Sequence, residues 1–143
     1  MFYNASEVAR YIISTCYIKN NPVSNLKLQK LLYFSWIDFY KTTYRSLFID
    51  DICAWQLGPV VPEVYYEFCS YGGRPICFIC NTSISEGADS TLLDRIIDQY
   101  LPFPASVLVE RSHRHGGAWD YIFKNGAGNR NIIPYELIKR LDC

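Results

Sequence analysis

The spacing of apolar and polar positions divides this chain into segments before any chemistry is considered. Between Ser24 and about Lys41, S-N-L-K-L-Q-K-L-L-Y-F-S-W-I-D-F-Y-K, a step of about 100° per residue fills two opposed faces with apolar groups. Leu28, Leu31, Leu32, Ser35 and Phe39 lie on one. Leu26, Tyr33, Ile37 and Tyr40 lie on the other, with Trp36 between them. Only Lys27, Lys30, Asp38 and Lys41 share a polar stripe, which Phe34 interrupts, so that stripe is the surface expected to face water. A helix that is apolar around most of its circumference is covered on several sides. The pattern predicts a central helix.

An amphipathic helix precedes it. Asn4 followed by Glu7 is a capping-box pattern, and Ala5, Val8, Ala9, Ile12, Ile13 and Cys16 form one stripe. Lys19-Asn20-Asn21-Pro22 ends that helix, because proline cannot continue the ladder. After the central helix, Phe48 to Trp55 is β-compatible and predicts a short hairpin or extended segment, with the chain turning at Leu57-Gly58-Pro59. Pro62 suits the first position of a helix running to Tyr71, where Gly72-Gly73 offers a left-handed cap. Pro75–Cys80 reads as an edge strand, and Asn81–Asp89 as a polar loop. Ser90 is expected to cap a helix bearing Leu92, Leu93, Ile96, Ile97 and Tyr100 on one face, ended by Pro102 and Pro104.

A helix over Ala105–Arg111, the loop Ser112–Gly117, an aromatic stretch Trp119–Phe123, a loop Gly126–Asn131 and a closing helix begun by Pro134 complete the chain. The expected fold is mostly α: a single compact domain over residues 1–143, with about six helices around a buried central one and at most a small β-hairpin.

Composition agrees with a packed domain. The 143 residues are 50% apolar and 20% charged, a globular balance. Aromatic residues reach 16%, with 12 tyrosines, and amphipathic tyrosine serves both cores and recognition surfaces. Fourteen basic and 14 acidic side chains cancel, so no broad phosphate-neutralising face is expected and no direct nucleic-acid binding. No apolar run approaches the ~18–20 residues of a membrane span, and Met1–Arg10 lacks the basic start of a signal peptide. The six cysteines are therefore read as reduced thiols of a cytoplasmic protein.

Candidate chemistry is sparse. Cys77-x-x-Cys80, joined by Cys69 or by His113 and His115, has zinc-ligand types, but only one knuckle-like pair exists and it lies in an Ile-Phe-Ile run typical of buried thiols. Ser112-His113-Arg114-His115 invites a hydrolase reading, yet no nucleophile elbow accompanies it. Gly72-Gly73 and Gly126-Ala-Gly128 lack the lysine of a phosphate loop. Asp50, Asp51, Glu63 and Glu67 match no calcium loop and read as solvated carboxylates. No catalytic residue, metal ligand or cofactor site is assigned.

Three blocks taken together carry a resemblance. They are L-K-L-Q-K-L-L-Y-F at 26–34, D-I-C-A-W-Q-L-G-P-V-V-P-E-V-Y at 51–65, and Ser112-His113 with Trp119 beyond them. In order and spacing this chain resembles the Panacea domain of SocA-like and GepA-like bacterial and phage antitoxins, from about Ala5 to Leu141. The matching motif positions are Leu28, Gln29, Lys30, Leu32, Tyr33, Asp51, Trp55, Gly58, Pro59, Pro62, Tyr65, Ser112, His113 and Trp119. The resemblance implies a mostly helical, phage-associated antitoxin, not an enzyme, that neutralises a cognate toxin protein by direct binding. The Ser112–Trp119 loop is more basic and flexible here than the family pattern.

Trp55 and Trp119 are expected to lock the turn against the central helix. Tyr65 and Tyr66, with Arg111 and Arg114 as charge contacts, are expected to form a partner interface together with the Ser112–Trp119 loop. Two other classes stay open: an adaptor presenting a client to a protease or regulator, and a small hydrolase using His113 and a cysteine. The oligomeric state is left open.

Overall fold

A computed structural model describes residues 2–143. Its described residues form seven α-helices and one two-stranded antiparallel sheet. In chain order these are α1 (Ala5–Ile18), α2 (Asn25–Thr43), β1 (Cys53–Trp55), β2 (Gly58–Val60), α3 (Pro62–Glu67), α4 (Asp89–Tyr100), α5 (Ala105–Ser112), α6 (Ala118–Phe123) and α7 (Tyr135–Leu141). No helix among the described residues is long and apolar enough to cross a membrane.

The central helix is α2, as the periodicity predicts. Leu28, Leu31, Leu32, Tyr33, Trp36, Ile37 and Phe39 are all buried, on both apolar faces. Ser24 caps it by accepting from the Lys27 N–H at 3.3 Å, and Tyr44 ends it in the left-handed conformation. Trp36 lies stacked between Tyr40 and Tyr135 and donates its indole N–H to the Phe48 carbonyl at 2.8 Å. This bond ties the end of α2 to the segment leading into the sheet.

The polar stripe of α2 is largely covered, and only Lys41, in its last turn, is exposed. Lys30 is fully buried, Lys27 reaches the Leu101 carbonyl at 2.6 Å, and Asp38 accepts from the Tyr100 hydroxyl at 2.5 Å. Phe34 stacks on Tyr100 with ring centroids 5.1 Å apart. The physical reason is that a lysine's aliphatic stem can lie along apolar surface while its ammonium satisfies a carbonyl that a helix end leaves free. Helix α4 and its exit at Leu101 cover Lys27, Phe34 and Asp38, and β2 with the end of α5 covers Lys30.

The other boundaries shift in ways local chemistry explains. Asn4 accepts from the Glu7 N–H at 2.8 Å, but the Glu7 carboxylate accepts from Ser83, so only half of the capping box forms. Ser90 lies inside α4, and its hydroxyl donates back to the Gly87 carbonyl at 3.0 Å. The helix after Pro62 tightens at Phe68 into a 3-10 turn at Cys69–Tyr71, closed by Gly72 at φ +59°. Pro75–Cys80 forms only an isolated bridge between Ile76 and Val23. Cys77 is exposed and Cys80 half-buried, so these thiols are not the buried pair expected from their apolar neighbours.

The hairpin sits later than Phe48–Trp55. Gly58 and Pro59 pair with Trp55 and Ala54, so they belong to its second strand, and Gln56-Leu57 makes the turn. Beyond β1, residues 130–133 run alongside: the Ala54 N–H donates to the Asn131 carbonyl at 2.8 Å and the Arg130 N–H to the Ala54 carbonyl at 2.6 Å. One apolar core then joins α1, α2, the sheet and the remaining helices.

Candidate functional site

The three motif blocks converge on the hairpin, where Gln29, Lys30 and Trp119 bond its backbone and that of the residue after it. On α2, one turn of side chains reads the backbone of β2 and α3. The Lys30 ammonium donates to the Pro59 carbonyl at 3.0 Å. The Gln29 side-chain oxygen accepts from the Val61 N–H at 2.9 Å, while its amide donates to Asn25 at 3.0 Å. Asn25 in turn donates to the Tyr65 carbonyl at 3.1 Å. Asn25, Gln29 and Lys30 are buried, and buried polar groups need such partners. Proline at 59 fits because its carbonyl faces Lys30 while it brings no N–H needing an acceptor on that edge.

Burial has a second effect on Lys30. Desolvation disfavours its charged form and pushes the pKa down to about 7. Close packing explains the neighbouring glycine: Gly58 has φ +114°, and a Cβ there would lie 2.5 Å from the Ser112 hydroxyl oxygen and 2.7 Å from Lys30 Cε. Only glycine satisfies both demands.

The third block locks the hairpin from the far side. Trp119 donates its indole N–H to the Trp55 carbonyl at 2.7 Å. His113 stacks on Trp119 with centroids 3.8 Å apart and planes 9° from parallel. Burial, and then the charge of Lys30, hold the His113 pKa below its ordinary value, and its Nε2 is buried without a partner. The Ser112 hydroxyl donates to the Val109 carbonyl at 2.7 Å.

The other motif positions fall into place around this frame. Leu28 and Leu32 are buried in the core, the Tyr33 hydroxyl donates to Asp142, Pro62 opens α3, and Asp51 is exposed just ahead of β1. Trp119 anchors the core as expected. Trp55 instead turns its half-buried ring outward, where Tyr65 meets it edge-on at 4.9 Å and Tyr66 lies at 6.1 Å.

That outward face borders a groove of about 400 Å³ between the hairpin, α3 and the start of α2, with Leu26, Trp55, Leu57, Val60, Tyr65 and Arg130 among its walls. Leu57 and Tyr66 are 51% and 56% exposed. Arg111 and Arg114 lie elsewhere. Together with Tyr33 and Tyr100 they line a separate cavity of about 210 Å³. Arg111 stacks on Phe103 at 4.1 Å, and Arg114 bonds to Asp142 at 3.0 Å and to the Leu141 carbonyl. Tyr65 and these arginines therefore line two different cavities, and Tyr66 lies beside the first, near Arg130.

Arg130 and Leu57 are among the groove residues that sequence reading did not single out. Arg130 lay in what composition marks only as a loop, with no motif to single it out. No group of three or more His, Cys, Asp or Glu side chains among the described residues is placed to hold a metal ion.

Residues 28–120 match the family model described as "Antitoxin SocA-like, Panacea domain". The chain belongs to this family. The matched span begins at the α2 residues that grip the hairpin and closes just past the tryptophan that locks it. Across 140 residues the chain is 34% identical to Antitoxin SocA of Caulobacter vibrioides (strain NA1000 / CB15N), covering 87% of this chain and 72% of that protein. No solved structure matches it. Membership in the SocA-like family supports an antitoxin role.

Proposed function

We propose that this chain is an antitoxin that neutralises a cognate toxin protein by binding it directly, with no chemistry of its own. The observation that carries this reading is the 34% identity to Antitoxin SocA over most of both chains. The geometry supports a binding role over catalysis. Ser112, His113 and Lys30, the residues nearest to a catalytic grouping, are packed beneath Gly58 and Trp119, with the serine hydroxyl bound to a backbone carbonyl. The hairpin–α3 face instead offers exposed aromatic and apolar side chains around a groove, the usual material of interface anchors. Arg111 and Arg114 belong to a second contact region in this proposal.

Co-expression tests it. Each gene flanking the one for this chain is induced with and without the intact chain, and growth and toxin abundance are followed together. Restored growth with a co-purifying complex and steady toxin levels is the expected result. Rescue accompanied by chain-dependent loss of the toxin would move the protein to the adaptor class. Failure to rescue growth against any flanking product would overturn the antitoxin reading.

A further inference from the structure

Arg130 carries an unusual set of constraints for a loop residue. Its backbone is left-handed, at φ +71°, a region that L residues seldom occupy and that clusters at functional positions. The bond from its N–H to Ala54 fixes it to β1. Its guanidinium lies over the Trp55 ring at 4.4 Å and within 3.5 Å of the Tyr66 hydroxyl. It makes no ion pair among the described residues, and it is the one charged side chain on the walls of the groove. Beyond the long bond from one terminal N–H to Tyr66, a stacked guanidinium keeps its remaining in-plane N–H donors free, a geometry matched to a carboxylate.

We propose that this groove receives an extended segment of the toxin, resting on the antitoxin reading above, that seats an apolar side chain against Trp55, Leu57 and Val60 and a carboxylate on Arg130. Strand addition does not provide the binding, because the Pro59 carbonyl and Val61 N–H on the outer side of β2 are already bound by Lys30 and Gln29. A nucleic acid is disfavoured, since a phosphate backbone needs several cations and the groove has one in a chain of zero net charge.

The test uses the full chain and the toxin identified by growth rescue. Arg130→Glu lowers affinity roughly 100-fold and Tyr66→Ala about 10-fold, whereas Arg95→Glu, on exposed α4 surface, stays within about threefold. Circular dichroism melts accompany each variant, and Tyr66→Ala, altering an exposed ring, serves if Arg130→Glu fails to fold. A toxin Asp→Lys or Glu→Lys change that restores binding to Arg130→Glu would identify the carboxylate. If both the Arg130 variant and the variant of its neighbour Tyr66 bind and neutralise like the parent chain, this proposal is overturned while the antitoxin reading stands. Arg130-dependent binding of a fluorescein-labelled 20-nucleotide RNA in place of toxin contact would also overturn it. If the parent chain neutralises no flanking product, both fall together.

Discussion

Replacing Lys30 by methionine separates the cost of burying an ammonium from everything else in the fold. Lys30 is fully buried, its one hydrogen bond goes to the Pro59 carbonyl, and its pKa is pushed down to about 7. The unfolded chain holds that proton up to about pH 10.4. Between these values the unfolded state binds more protons than the folded one, so stability rises with pH. Integrating from pH 7 to pH 8.5 gives a contribution of about 1.6 kcal/mol from Lys30 alone, and below pH 7 that contribution flattens.

Lys30→Met removes this slope. It also leaves the Pro59 carbonyl without its donor, so the quantity to compare is the change with pH and not the absolute stability. Urea unfolding at pH 7 and pH 8.5 reads it directly. That window lies above the ordinary histidine range, but it reaches the ordinary thiol range of about 8.5. Cys16, Cys53 and Cys143, held above it by burial, lower stability as pH rises in both proteins alike, so only the difference between the two slopes reports Lys30. Equal slopes in the two proteins would mean that Lys30 stays charged in the fold, and the desolvation argument would fail.

Two further outcomes follow from the same packing. Gly58→Ala combines an unfavourable positive φ with a clash against Ser112 and Lys30, and should cost about 3 kcal/mol, a fall of roughly 10 °C in Tm by circular dichroism; a fall under about 2 °C would show that Lys30 and Ser112 yield freely. In native thiol titration, exposed Cys69 and Cys77 should react quickly, while Cys16, buried and with its pKa pushed up to about 12, should react only after denaturant is added.

The sequence was legible where a single helix carried its own signal. The two apolar faces of α2, the proline starts and the glycine cap after α3 all follow from periodicity and backbone chemistry, and all lie within a few residues of their expected places. The errors have a common source. Periodicity places Lys30 on a polar stripe but cannot say that β2 and α5 will lie over it, nor that the ammonium will find a carbonyl on a distant strand. Residues 48–55 are β-compatible in composition, yet the ladder forms only where Gly58–Val60 can pair with Cys53–Trp55. Arg130 gave no sign because arginine is not a residue whose type announces a left-handed backbone. The groove is assembled from α2, the hairpin turn, α3 and the loop before α7, and no one segment contains it.

The outer side of β2 is sealed by side chains from α2, and β1 is flanked by residues 130–133. A short sheet so enclosed offers no unpaired ladder to another chain, which removes the common route to edge-to-edge aggregation. It also divides the labour within the hairpin. Whatever docks there must be recognised by side chains alone, so Gln56, Leu57 and Arg130 can be exchanged for other shapes and charges without disturbing the register beneath them. If the groove receives the toxin as proposed, a handful of surface substitutions would retarget the scaffold.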